Sequence, residues 1–219
     1  MNRRIGRPCS LANRSLQEIV SEFIDRESVR LYTSSDALIG YRKTGQSMLR
    51  IGLISDTHNR LDPLLAEVFR DVSFIIHAGD ICEPSILREL ESIAPVYAVR
   101  GNNDHHAGLM ALPESRVIEV DSLRILVAHD AKDPRMGDWI RDSSPFLIVV
   151  GHSHKPALGK EEGIYRVNPG SAGPKRFSNP RTAGTLVFCG PQAPEIQLWD
   201  LAANKPYPLT TENSLRVQA

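Results

Sequence analysis

The chain has 219 residues, with 26 basic and 26 acidic side chains and no formal net charge at pH 7. That length suits one good core plus an extension, and the balanced charge gives no support for a nucleic-acid-binding protein, which usually carries a strong basic excess. Apolar runs reach about five residues against the roughly 20 needed to span a bilayer, and the three dispersed cysteines, Cys9, Cys82 and Cys189, contain no CxxC pair, which speaks against a disulfide framework or a thiolate zinc site and for a reducing cytoplasm.

Residues 1–47 read as an N-terminal extension. Arg3, Arg4, Arg7 and Arg14 precede any acidic residue, and the apolar stretch of a secretory signal is missing. Two readings stay open. In one, Ser15-Leu16-Gln17-Glu18 is a capping box and Leu16, Ile19, Val20, Phe23 and Ile24 form the stripe of a helix over 15–28. In the other, Met48 is the true start, because MLRIGLISDTH begins cleanly on a strand.

A domain over 48–202 follows. Leu49 to Ile54 reads as its first strand. Asp62-Pro63 looks like an N-cap with proline at the first helical position, and Leu61, Leu64, Leu65, Val68 and Phe69 keep helical spacing. Phe74 to His77 is a second strand, Pro84 opens a helix with Ile86, Leu87, Leu90 and Ile93 on one stripe, and Val96 to Val99 is a third strand. Strand, helix, strand, helix, strand implies a parallel sheet. Arg116 to Val120 and Leu123 to Ala128 flank Asp121-Ser122 as a tight hairpin, and Asp133-Pro134 starts a short helix carrying Met136, Trp139 and Ile140. Phe146 to Val150 is a run of five apolar residues, the pattern of a strand buried on both faces. Ile164 to Val167, Thr185 to Phe188 and Glu195 to Trp199 read as antiparallel strands, and 203–219 as a polar, loosely held C-terminal tail. A mixed α/β domain with two packed sheets fits this order.

Each strand of the core half runs into a polar cluster. These are Ser55-Asp56-Thr57-His58, His77-Ala78-Gly79-Asp80, Gly101-Asn102-Asn103-Asp104, Ala128-His129-Asp130 and Gly151-His152-Ser153-His154. Strand ends are where an α/β sheet places its functional groups. All seven histidines, at 58, 77, 105, 106, 129, 152 and 154, lie in or beside these clusters. If strand geometry persists past Val150, His152 and His154 project to the same side. Each piece alone is common: Asp-x-His is weak, Gly-Asp after a strand is a frequent turn, and His77 inside its strand reads as a packed supporting residue. Their combination is not common. Imidazole, carboxylate and amide oxygen together suit divalent manganese, iron, zinc, cobalt or nickel rather than calcium. Seven ligands exceed one small site but serve two ions sharing a carboxylate, about 3.5–4 Å apart, an arrangement that clamps in-line phosphoryl transfer.

The order DTH, GD, GNND, H, GHSH, followed by NPGSAGPKRF over 168–177, resembles the calcineurin-like metallophosphoesterases, and within them the small bacterial phosphodiesterase branch, over about Leu49 to Leu201. The resemblance implies a four-layer αββα sandwich of two mixed β-sheets flanked by helices. It implies two divalent ions, manganese first, with nickel, iron, cobalt or zinc as alternatives. Asp56, His58, Asp80 and His154 would hold the first ion and Asp80 would bridge. Asn102, His129 and His152 would hold the second. Asn168 and Ser171 would support the site. It also implies a metal-dependent phosphodiesterase that attacks phosphorus in line with a metal-bound hydroxide, Asn102 helping to neutralise the developing charge.

Two positions depart from the family pattern. His129 is followed by Asp130-Ala131-Lys132 instead of glycine, which bears on substrate preference. The position after Asn102, where the family's protein phosphatases carry a histidine that can protonate the leaving group, is Asn103. Asp104 or His105 could substitute as that catalytic acid. The expected partner is a small phosphoester, with no nucleic acid and no membrane, although Lys155, Lys175 and Arg176 could meet a substrate phosphate. Short strands near the C-terminus could pair subunits into a homo-oligomer. The rival reading is a non-enzymatic interaction module, as in the retromer subunit that resembles this family. The competent ligand at every site position argues against it.

Overall fold

The computed structural model describes residues 32–33, 38–41, 49–120, 123–176, 178–188 and 195–209. The helix read over 15–28, the Asp121–Ser122 turn and Phe177 lie outside them. The strands are β1 (Tyr32–Thr33), β2 (Leu38–Tyr41), β3 (Leu49–Ile54), β4 (Phe74–His77), β5 (Val96–Ala98), β6 (Ser115–Val120), β7 (Leu123–Ala128), β8 (Leu147–Val149), β9 (Ala157–Glu161), β10 (Ile164–Asn168), β11 (Thr182–Phe188), β12 (Glu195–Asp200) and β13 (Lys205–Tyr207). The helices described are α1 (Leu65–Val68), α2 (Pro84–Glu91), α3 (Ala107–Met110) and α4 (Met136–Ser143). No helix among the described residues is long and apolar enough to cross a membrane.

Two mixed sheets result. One runs β1-β2-β6-β7-β8-β10-β9 and the other β13-β12-β11-β3-β4-β5. β3, β4 and β5 are mutually parallel, as strand–helix–strand order requires, while β11 joins the open side of β3 antiparallel. β6 and β7 form the expected hairpin, with Val120 opposite Leu123. The sequence groups Ile164–Val167 with the later antiparallel strands. The structure instead places β10 in the other sheet, parallel to β8 and antiparallel to β9. β2, within 1–47, pairs parallel with β6, and β13, within 203–219, pairs with β12.

The sheets face each other across one core. Ile51, Leu53, Phe74 and Ile76 from the six-stranded sheet meet Ile118, Ile125, Val127, Leu147, Val149 and Val167 from the seven-stranded one. The outer face of the six-stranded sheet, through Ile54 and Ile75, is covered by Leu65, Phe69, Ile86, Leu90 and Leu109 of α1 to α3 and their flanks. The outer face of the other sheet, through Leu126, Ile148 and Val150, is covered by Met136, with Trp139 and Ile140 packed alongside. The layers are therefore α, β, β, α. The continuous apolar run at 146–150 is explained: Leu147 and Val149 face the inter-sheet core while Ile148 and Val150 face α4.

Local chemistry sets the element ends. Pro84 sits at the start of α2 with no amide to leave unpaired. The helix expected from Pro63 shrinks to the single turn of α1. Asp62 caps that turn by accepting the Leu64 N–H at 3.0 Å. The residues ahead of it are tied across the sheet end, Asp56, His58 and Asn59 donating their N–H groups to Gly79, Asp80 and Ile81. All five polar clusters thus follow strands β3, β4, β5, β7 and β8 at one end of the sandwich.

Leu147 is fully buried between the sheets. Leu147→Ala is expected to destabilise the fold by about 2–5 kcal/mol, measurable as a lowered denaturant midpoint at unchanged slope.

Candidate metal centre

Asp56, His58, Asp80 and His154 each bring one ligand atom to within 4.8 Å of the other three. His58 Nε2 lies 3.4 Å from His154 Nε2 and 3.7 Å from Asp80 Oδ2, and His154 Nε2 lies 3.3 Å from Asp56 Oδ1. On the other side of Asp80, Oδ1 is 3.4 Å from His129 Nε2. His129 Nε2 and His152 Nδ1 are each 3.0 Å from Asn102 Oδ1 and 3.3 Å from one another. The seven residues singled out in the sequence therefore form two groups that meet at one carboxylate.

The backbone achieves this by leaving strand geometry at once. Asp56, His58, Asp80, His152 and His154 have φ of 53°, 43°, 58°, 64° and 57°, the left-handed region that non-glycine residues seldom occupy and that costs of order 1–3 kcal/mol each. Strand geometry does not persist past β8. His152 and His154 diverge, His152 turning to Asn102 and His129 and His154 to His58 and Asp56.

Hydrogen bonds hold the strained loops. Asp104 is buried and its carboxylate accepts four backbone N–H groups, those of Asp80 and Gly101 on Oδ2 and those of Ile81 and Cys82 on Oδ1, at 2.7–3.1 Å. It locks the Asp80 loop, with both oxygens engaged by backbone N–H groups. Asn103, which the sequence marked only as the lack of a histidine, donates its N–H to Asp80 Oδ1 at 2.8 Å and its Nδ2–H to Asp80 Oδ2 at 2.6 Å. Asn168 donates to Gly151 O and Ser153 Oγ, and Ser171 donates to Asp56 O. His77 accepts the Gly79 N–H on Nδ1, so its Nε2–H points to Thr57 Oγ1 at 3.1 Å. It is a packed support, not a ligand. His105 lines the cavity next to Asn102, and His106 caps α3 by accepting the Gly108 N–H.

Two glycines are required by close approach. A Cβ on Gly101 would meet Asp80 N at 2.2 Å and Oδ1 at 2.3 Å, and one on Gly151 would meet Ser55 Oγ at 1.9 Å and Asp56 Oδ2 at 2.8 Å. The glycine of GNND and the first residue of GHSH are thus where two loops touch the carboxylates.

The electrostatics favour a cation. Asp56 is fully buried, and burial above all pushes its carboxyl up to about 7. Its Oδ2 accepts from Ser55 Oγ and His152 N, but Oδ1 is buried with no hydrogen-bond partner. Burial pushes His58 down and His154 down to about 4, leaving both neutral with lone pairs to donate. Burial opposes the charge on Asp80, yet His129 and Asn103 outweigh it and hold the carboxyl below its usual range. Burial opposes the charge on His129, yet Asp80 outweighs it and raises the ring, whose Nδ1–H donates to Ala78 O at 2.8 Å while Nε2 faces Asn102 and Asp80. An orphaned buried carboxylate oxygen among neutral imidazoles and a second carboxylate fits divalent transition metals.

A family model described as the calcineurin-like phosphoesterase superfamily domain matches residues 49–189. The chain belongs to this superfamily. A protein from Methanothermobacter thermautotrophicus named as a probable metallophosphoesterase is 38% identical over 141 residues, 59% of this chain and 81% of the relative. Among solved structures, vacuolar protein sorting 29 from Cryptosporidium parvum superposes with a TM-score of 0.62 at 21% identity, over 73% of this chain and 95% of that one. A protein described as a novel archaeal phosphodiesterase gives 0.56 at 22% identity, over 68% and 98%. These two likenesses show the shared fold. The superfamily is metal-dependent, and the ligand cluster lies within the matched residues.

Asp104→Ala leaves three buried N–H groups and the half-buried one of Cys82 without an acceptor, at about 1–3 kcal/mol for each buried one when nothing relaxes. It is expected to lower stability by at least about 3 kcal/mol and to reduce bound manganese, read by denaturation and elemental analysis. Lost turnover with stability and metal content intact would instead make Asp104 the catalytic acid.

Proposed function

We propose that the protein is a phosphodiesterase that works with two divalent ions, manganese first, shared through Asp80. The observation that carries this is the division of Asp80: Oδ2 faces His58 and the Asp56–His154 pair, while Oδ1 faces His129 beside Asn102 and His152. Asp56, His58, Asp80 and His154 would hold one ion, and Asp80, Asn102, His129 and His152 the other. Bound there, divalent ions supply Lewis-acid activation of water and of phosphoryl oxygen.

The chain's own residues do the rest. Asn103 and Asp104 fix Asp80 so that neither oxygen can rotate away from its group. Asn102 turns Oδ1 inward, which leaves its Nδ2–H groups to donate to a phosphoryl oxygen as charge grows there. Asn103 is turned back onto Asp80, so no side chain at that position protonates the leaving group. His105, on the cavity wall, is the remaining imidazole for that task. Without a strong acid, leaving groups of low pKa react best. A cavity beside the ligands with room for a second ester group supports the diester reading over the monoester one.

Chelator-stripped protein is expected to hydrolyse bis-p-nitrophenyl phosphate only after manganese is restored, and Asp80→Ala to reduce turnover to background. Absence of turnover with both ions bound would sink the diesterase reading and favour the interaction-module one. Wild-type turnover by Asp80→Ala at equal metal content would remove Asp80 from the centre.

A further inference from the structure

A cavity of about 420 Å³ starts at Asn102, His129 and His152 and extends away from the ligand cluster to Met110, Glu114 and Arg135. We propose that it selects the organic group of the phosphoester, and that this group is uncharged, hydroxyl-bearing and of sugar size. The inference rests on the phosphoesterase reading above.

The size comes first. Pockets that hold small organic ligands span about 300–1,000 Å³. A phosphoryl group bound at the Asn102 end leaves most of this volume for something else.

Charge comes next. Two guanidiniums line the far wall, which taken alone would suggest a second phosphate. Both are already engaged. Arg100 and Arg135 close on Glu114, one on each carboxylate oxygen. Arg135 also holds Asp133, with Nη2–Oδ2 at 2.8 Å and Nε–Oδ1 at 2.9 Å, and its guanidinium lies 4.9 Å from the centroid of the Trp139 ring. The arginines hold the Glu114 carboxyl below its usual range, so it stays ionised. Asp130 adds a third carboxylate. Its Oδ1 accepts the Lys132 N–H at 2.9 Å, while Oδ2 lies 3.9 Å from His152 Nε2. Leaving aside the candidate ligands and Asp104, whose oxygens are taken by backbone N–H groups, the carboxylates of Glu114, Asp130 and Asp133 outnumber the guanidiniums of Arg100 and Arg135 on the cavity wall, so an anionic substituent would enter against the field. A hydroxyl carries no charge and donates to a carboxylate in a charge-assisted hydrogen bond.

The apolar part of the wall is small. Met110 is 57% exposed and lines the cavity, and its polarizable thioether suits C–H faces of varied shape. A quaternary ammonium would want an open aromatic face, and Trp139 already lies under Arg135. Asp130 is the position where the chain departs from the glycine of the family pattern, so this preference belongs to this sequence.

The test is calorimetric binding to the full chain loaded with manganese, using ribose 5-phosphate, phosphocholine and methyl phosphate. All three present the same phosphoryl group to the ligand end, and they differ in what fills the cavity. Ribose 5-phosphate is expected to bind at least about tenfold more tightly than either of the others, the scale of one or two hydrogen bonds to a charged acceptor. Asp130→Ala is expected to bring the ratio of ribose 5-phosphate to methyl phosphate close to one. Equal affinities in the wild type, or tightest binding of phosphocholine, would overturn the proposal. Turnover of bis-p-nitrophenyl phosphate is read separately. Its failure removes the diesterase reading, whereas the binding order judges the cavity whether or not the chain turns substrate over.

Discussion

Two carboxylates, Asp56 and Asp80, are buried side by side at the ends of adjacent parallel strands, and the rest of the site is arranged around that cost. Removing ionised groups from water is expensive unless each is paired and hydrogen-bonded. Asp80 is satisfied by Asn103 and faced by His129 and His58. Asp56 is only half satisfied, its Oδ1 left without a partner and its carboxyl raised toward protonation by burial. His58 and His154 cannot supply the missing charge, because burial keeps both neutral. A bound divalent ion would. The protein's half of the centre is an excess of electron pairs in a dry place.

Such a cluster cannot be held by flexible loops. Five of the seven candidate ligands lie at positive φ, and that strain persists only where surrounding contacts over-determine it. Asp104 supplies four of those contacts from one side chain, and Gly101 and Gly151 allow backbone to come within touching distance of the carboxylates. Beneath the loops the strands are clamped from both faces, by the inter-sheet core on one side and helices on the other. Rigidity passes from apolar packing through strand ends to ligand geometry.

The strands were readable in the sequence where apolar residues ran together, as at 49–54, 74–77 and 147–149, and the polar clusters behind them marked which loops would meet. β9 was not readable, since Ala-Leu-Gly-Lys-Glu has no β-branched residue and becomes a strand only by pairing with β10. Nor was the sheet that β10 would join, because a short strand carries no label for its partner. The left-handed turns at Asp56, Asp80 and His154 were hidden for a different reason. Nothing in an aspartate or histidine announces positive φ when glycine is not used. Asp104 and Asn103 were misleading in isolation: in Gly-Asn-Asn-Asp they look like turn residues or candidate acids. Their roles are fixed by the loop after β4, more than twenty residues earlier.

The centre and the outer wall of the cavity use different side chains, and this separates what the reaction requires from what the substrate must look like. The ligands come from strand ends locked by packing. The outer cavity wall comes from the segment between β5 and β6 and the loop before α4, joined through Glu114 by its ion pairs with Arg100 and Arg135. Those side chains are substantially exposed, so replacing them costs little folding stability. A change at Asp80 or Gly151 has no such freedom, because either disturbs the arrangement that keeps two buried carboxylates tolerable. Substitution in the outer wall can therefore retune which ester enters while the centre stays constant, and Asp130, next in sequence to His129 but facing the cavity, lies where those two regimes meet.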